Sequence, residues 1–307
     1  MKKEPVNGYC IYKDAESNDL SLEHVVPLSL GGHDSFNISA DRSLNNGVAS
    51  KVDSAISNDF TILFDRRDLN AAGHSGKLPE PKAKHSTFND RKVQVTFGKK
   101  GLKVFDVRDR RDLEQHEFAG QSVQVGGISI GLDDPLRFVA KVALSAGYFA
   151  YGDSFRYQVD HSQARSIMMC SDLGSINSEV RCLDRWQSID DTEHQIMWLI
   201  AAQHRESCVM LIPGYDCFGV AVGIFGHFMG FINIPAPGHH LLNEGEYRLG
   251  HVITIRNGRL LRRSFHQSVY DLQRDIESGD DSIMAALNRM TARTELRKDG
   301  AGKRERI

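Results

Sequence analysis

The sequence predicts an α+β protein: a small strand–loop–strand–helix unit at the N-terminus, then a larger α+β domain with antiparallel strands. Three observations carry this. Between Asp19 and Asp53 the apolar period changes from alternation to every third or fourth residue within one short stretch. Residues 92–107 and 251–265 each alternate about a glycine-containing turn. From Cys208 to Ile234 apolar residues run on almost continuously, the mark of strands covered on both faces. At 307 residues the chain is long enough for two domains. The boundaries expected are 1–80 for the N-terminal module, 81–292 for the α+β domain and 293–307 for a basic, disordered tail.

Residues 1 to about 18 are polar and are expected as a loop or short strand packing on the next unit through Tyr9 and Ile11. In that unit Leu20, Leu22 and Val25–Val26 surround a Glu23–His24 pair on a short strand, which Pro27 ends. Gly31–Gly32 open a loop, Ser35 to Ser39 form a second short segment carrying Asn37, and Leu44, Val48, Val52, Ala55 and Ile56 mark a helix from Asp41. After Phe60–Phe64, the glycines, prolines and lysines of the stretch through Lys84 predict a loop or linker holding His74 and, just beyond, His85. Residues 92–107 predict a hairpin turning at Gly98–Gly101, with lysines around its tip.

From Asp133 to Gly152 a cap aspartate, an early proline and apolar residues on nearly every side predict a buried helix, with Lys141 expected to snorkel outward. A second helix is expected over Ser162–Met169, where Asp160, His161 and Arg165 cluster in a way that capping explains. Strands are expected at Gln195–Gln203, Cys208–Gly214 and Phe218–Ile234. Asn257–Gly258 predicts a type I′ hairpin with Arg256, Arg259, Arg262 and Arg263 along one edge. His239–His240 carry no assignment. Helices around Tyr270–Ile276 and Ser282–Met290 close the fold.

The residue types between Glu23 and Asn46 suit phosphodiester hydrolysis. That reaction needs a water deprotonated near neutral pH, neutral histidine being best matched to the task. It also needs charge neutralisation and help for the leaving oxygen, which a magnesium or manganese ion on carboxylate and amide oxygens supplies. Taken singly these residues also fit an ordinary strand pair, turn and cap. The joint pattern is what carries the argument.

That pattern resembles the HNH endonucleases, the ββα-metal nuclease family. LEHVVPLSLGG looks like the family's first strand and Gly-rich loop; the likeness is specific over about forty residues and extends by layout to about residue 80. The resemblance implies His24 as general base, Asn37 as the brace of the loop that aims it, and Glu23 with Asn45 or Asn46 as ligands of one Mg²⁺ or Mn²⁺. Many members carry two Cys-x-x-Cys pairs for a structural zinc. Here Cys10 stands at the first position, but Lys13, Asp41 and Leu44 hold the other three, so no structural zinc is expected. The implied activity is metal-dependent cleavage of DNA, as a nick or a double-strand break, with RNA kept as an alternative substrate. HNH modules fused to sensor domains are frequent in restriction and phage-defence proteins, so a C-terminal domain that gates cleavage through a protein partner or activator is a family-level expectation. The alternative is a nucleic-acid binder with a degenerate HNH scaffold.

Charge points the same way. The net charge is −2, yet Arg66–Arg111 hold thirteen Lys and Arg against five acids. A solvated face is the commoner fate of such a run, but beside a phosphodiester site a phosphate-contacting surface is the better reading. Nucleic-acid contacts are expected from Arg42, Lys51, Arg66, Arg67, Lys99, Lys100 and Lys103. The five cysteines are odd in number, unclustered and set among apolar neighbours, reading as reduced core residues of a cytoplasmic protein. MKKEPVNGY lacks the apolar run of a signal peptide, and the long apolar stretch is too broken by Pro213, Gly214 and Asp216 for a membrane span.

Overall fold

Where each element starts and stops is set by a few residues with strong local preferences. The computed structural model describes residues 7–73, 76–175, 180–185, 192–204, 206–236, 241 and 247–291. His74, His239–His240 and the basic tail lie outside them. β1 (Gly8–Cys10) and β2 (Ala15–Ser17) form a hairpin, and β3 (Leu20–His24) and β4 (Asn37–Asp41) form a second. Pro27 ends the β3 segment and a 3₁₀ turn, Leu28–Leu30, follows it. Gly31 then takes φ +77°, and a Cβ at Gly32 would lie 1.8 Å from the Val26 carbonyl oxygen, so only glycine fits that crossing. Asp41 ends β4 and caps the helical segment, accepting from the Ser43 and Leu44 amides. That segment runs as α1 (Arg42–Leu44), a π-helical turn (Asn45–Ala49) and α2 (Ser50–Ser57). Asp59 caps α3 (Phe60–Asp68) in the same way.

A four-stranded antiparallel sheet comes next: β5 (Lys82–Phe88), β6 (Arg91–Gly98), β7 (Gly101–Asp106) and β8 (Arg111–Asp112), paired in sequence order. The expected hairpin is β6–β7. The expected linker through Lys84 stops earlier, because β5 begins at Lys82. Its inward residues near that end, Ala83 and Ser86, are too small to show alternation in the sequence. Phe60, Phe64 and Phe97 stack edge to face at 5.2–5.7 Å and join α3 to this sheet.

After α4 (Gln115–Phe118) comes the long helix α5 (Asp134–Tyr151), then α6 (Asp153–Gln158) and α7 (Ser162–Met169). The Asp160 carboxylate accepts from the Ser162 amide at the start of α7, and Arg165 pairs with Asp14 at 2.8 Å, so this cluster caps and ties the fold. A six-stranded sheet closes the chain. β9 (Arg181–Asp184) is followed by α8 (Thr192–Gln203), and then by β10 (Cys208–Pro213), β11 (Cys217–Ile224), β12 (His227–Pro235), β13 (His251–Arg256) and β14 (Arg259–Ser264). The strand order is β14-β13-β10-β11-β12-β9, with every pairing antiparallel. Asn257 and Gly258 take φ +50° and +65°, as a type I′ turn requires. Gln195–Gln203, expected as a strand, is helical. Its apolar run lacks a period because α8 packs on β11 and β12 on one side and on α9 (Phe265–Glu277) on another. A last helix, α10, spans 281–291.

The six-stranded sheet is covered on both faces. Val209, Leu211, Val220 and Ile232 face α5, whereas Cys208, Met210, Ala221 and Phe231 face α8 and α9. The same core that holds α5 also contains Ile11, Leu20, Val25, Leu30, Ile38, Val52 and Ile62, so the N-terminal hairpins and helices share one interior with the large sheet. The four-stranded sheet has a small core of its own around Val93, Val95 and Val104. Among the described residues no helix is long and apolar enough to cross a membrane. The five cysteines are free, with Cys10 and Cys208 buried.

Phe138 is fully buried where α5 meets this shared core. Phe138→Ala should lower the unfolding free energy by about 3–5 kcal/mol in urea titrations, and a loss below about 1 kcal/mol would show that the site collapses around the gap.

Candidate functional site

The β3–β4 hairpin places His24 directly across from Asn37. Successive side chains on a strand point to opposite faces, so His24 and Glu23 part company. His24 turns to the outer face with its side chain 19% exposed, and its Nε2 lies 3.3 Å from Oδ1 of the exposed Asp34. The Asn37 side-chain amide donates to the Asp34 backbone carbonyl, closing the loop that carries this carboxylate. In the tautomer with its proton on Nε2, the ring donates to Asp34 and Nδ1 is the acceptor nitrogen. Asp34 belongs to no motif in the sequence; its place three residues before Asn37 is the only signal there.

Glu23 faces inward and is buried. Its Oε1 lies 2.5 Å from Lys141 Nζ, an ammonium of zero exposure at the middle of α5. The same Nζ donates to the backbone carbonyls of His24 at 2.7 Å and Val25 at 3.3 Å, and it contacts Asp53 Oδ2 on α2 at 3.2 Å. Lys141 therefore does not snorkel. Phe138 and Leu144, one turn away on either side, are fully buried and leave it no route to solvent. That neighbourhood was the sequence signal for a buried acid partner, since a fully buried lysine is almost always paired.

Burial alone would depress the Lys141 ammonium, but the Asp53 and Glu23 carboxylates outweigh it and hold its pKa up. Two carboxylates share one ammonium, which leaves a surplus negative charge. Burial, with Glu23 adding to it, pushes the Asp53 carboxyl up to about 7 against the attraction of Lys141. Burial and the nearby Glu23 charge also push the Tyr12 phenol well up.

The two asparagines at the helix start separate. Asn45 turns toward β3, its amide donating to Ser21 Oγ at 3.0 Å and the Leu22 carbonyl at 3.1 Å, on the same face as Glu23; Asn46 is exposed. Both begin the π-helical turn, a wide-turn irregularity that recurs at functional sites. The four positions compared with the zinc cysteines also converge. The Asp41 amide donates to Cys10 Sγ at 3.1 Å, Lys13 Nζ lies 3.5 Å from Asp41 Oδ2, and Leu44 packs against the core beneath. Hydrogen bonds from Ser43, first of all, hold the Asp41 carboxyl far below its ordinary range.

The divalent ion implied at Glu23 does not fit the residues as they stand. The Glu23 carboxylate already faces a buried cation, and among the described residues no three His, Cys, Asp or Glu side chains converge as a ligand set.

The basic residues fall into two groups. Arg66 is buried and donates to the Ser57 carbonyl at 2.7 Å; Arg67 chelates Asp68 and donates to the Phe97 carbonyl at 2.8 Å; Arg42 pairs with Asp19 at 2.9 Å. These three tie elements together. Lys51 is exposed on α2, and Lys100 and Lys103 are exposed at the β6–β7 tip, where Lys99 reaches Asn70 Oδ1 at 2.6 Å. With Arg67 and Lys82 these tip lysines line a cleft of about 720 Å³.

No protein-family model, no curated protein and no solved structure matches the chain.

The raised Asp53 pKa sets a pH dependence of stability. A carboxyl at about 7 when folded and near about 3.9 when unfolded binds its proton more tightly in the native state. Its contribution is complete below the unfolded value and is lost as pH rises through about 7. The Tm of the protein should fall between about pH 5 and pH 8, and Asp53→Asn should flatten that limb. Parallel curves for the two proteins would show that Asp53 titrates normally.

Proposed function

We propose that this protein is an HNH-type endonuclease, acting on DNA in the cytoplasm, with His24 as its general base. The observation that carries the reading is the linked contact of Asn37 with the Asp34 carbonyl and of Asp34 with His24 Nε2, across a hairpin followed by a helix. A general base needs a ring held in place, and the contact with Asp34 across this hairpin supplies that. Asp34 orients the imidazole and stabilises the imidazolium formed when Nδ1 takes a proton from water. The water oxygen then attacks phosphorus, the bond from phosphorus to the 3′ oxygen breaks, and the leaving oxygen takes a proton from bulk water. Convergence of Cys10, Lys13, Asp41 and Leu44 supports the same family layout, with an ion pair between two of the positions at which other members place zinc thiolates.

Base readout has no evident source in the hairpin and helices. Phosphate contact falls to Lys51 and to the cleft of Lys99, Lys100 and Lys103, which positions the strand without reading sequence. The large sheet with α8 and α9 is then the part available to a protein partner or activator.

His24→Ala should lower nicking of supercoiled plasmid by about 10²–10⁴-fold, with DNA affinity in filter binding nearly unchanged, because a base acts in the transition state. Equal nicking by the variant would remove His24 from the chemistry. If neither protein cleaves with Mg²⁺, Mn²⁺ or a candidate activator yet both bind DNA, the degenerate binder is the correct reading. Neutralising Lys99, Lys100 and Lys103 together should reduce the slope of log affinity against log salt by about 2–3. An unchanged slope would place the phosphates elsewhere.

A further inference from the structure

We propose that Lys141 supplies the cation at Glu23, so that Glu23 and Lys141 form a buried strut that positions His24, and Glu23 is not a metal ligand. The geometry is specific. One ammonium, fully buried in α5, meets the Glu23 carboxylate at 2.5 Å and the backbone carbonyls of His24 and Val25 at 2.7 and 3.3 Å. Those carbonyls lie at the last residue of β3 and the one after it, where the chain sets the point at which the His24 ring emerges. Asp53, 3.2 Å from the same nitrogen, ties α2 to the arrangement. A divalent ion at Glu23 would have to approach within bonding distance of a carboxylate oxygen already in contact with a positive charge. In a site closed to water that repulsion is only weakly screened. The Glu23 carboxylate therefore serves, through Lys141, to hold the strand.

Lys141 and Glu23 touch no substrate in this arrangement; they are positioning residues. The proposal rests on the nuclease reading for its kinetic consequence but not for its chemical one, and the two can be tested apart. Mn²⁺ binding is measured by EPR on the full chain, its Glu23→Gln variant and the double variant Glu23→Gln/Lys141→Met. The double variant removes the Glu23 and Lys141 charges together, and the Asp53 carboxyl that remains, already pushed up to about 7 by burial, can stay protonated and neutral. Mn²⁺ affinity should be the same within about twofold in all three, or absent from all three. A loss of about tenfold or more in Glu23→Gln, with cooperative unfolding retained, would make Glu23 a ligand and overturn the proposal.

The positioning role is read on His24 itself. Its ring nitrogen chemical shifts, which report tautomer and the contact with Asp34, should change in the double variant. Unchanged shifts would reduce the pair to packing. Where the full chain cleaves DNA, cleavage by the double variant should fall about tenfold to a hundredfold with DNA affinity held within about twofold. A folded double variant that cleaves at the full rate would equally overturn the proposal. If no form cleaves, the Mn²⁺ and His24 measurements still decide it, and the nuclease reading fails alone.

Discussion

A single buried charge organises this protein. Taking a lysine out of water costs several kcal/mol unless carboxylates and carbonyls replace its hydration. Lys141 finds its partners on the other side of the core: Glu23 and the His24 carbonyl from β3, the Val25 carbonyl just after it, and Asp53 from α2. The apolar surface around it could slide or rotate by a residue at modest cost, since Val, Ala and Leu are interchangeable to a first approximation. The ammonium cannot. It fixes the register of α5 against the N-terminal hairpin, and the surrounding interior, from Ile11 to Ile255, packs around that fixed point.

What the sequence disclosed follows from how local each cause is. Pro27, the Gly31–Gly32 loop, the change of period at Asp41 and the Asn257–Gly258 turn act within a few residues, and each appears where its chemistry puts it. The buried helix from Asp133 and the helix over Ser162–Met169 were equally legible. Three features were not. α8 hid in an apolar run without period because it is covered on several sides. β5 hid because Ala83 and Ser86 are small. The partners of Lys141 hid because they lie 88 to 118 positions away in the chain, as the numbers of Asp53 and Glu23 show. At the candidate site the sequence pointed to His24 and Asn37, while Asp34, which links them, carries no motif of its own.

The run of positive charge after the motif is also weaker than its count. Arg66 caps a helix, Arg67 chelates Asp68, Arg91 leans on Asp106 and Asp109, and Arg111 grips Glu117. Much of the excess is consumed in holding the small sheet and its neighbours together. The lysines at the β6–β7 tip remain, on a short, stiff hairpin whose turn spans Gly98–Gly101. A phosphate-binding surface there would be compact and directional, unlike a broad electrostatic stripe.

The separate core of β5–β8 bears on how the chain reaches its native state. The shared interior must join α3, which ends at Asp68, to α5, which begins at Asp134, across everything between them. Closing so long a loop is entropically unfavourable and slow when the intervening chain is loose. β5 to β8 pair in sequence order through tight turns, so they can form from local contacts before the distant halves meet. Once formed, the sheet shortens the effective loop to two connections, residues 69–81 and 113–133. In that sense the small sheet acts during folding as a splint, drawing the lysine of one half toward the carboxylates of the other.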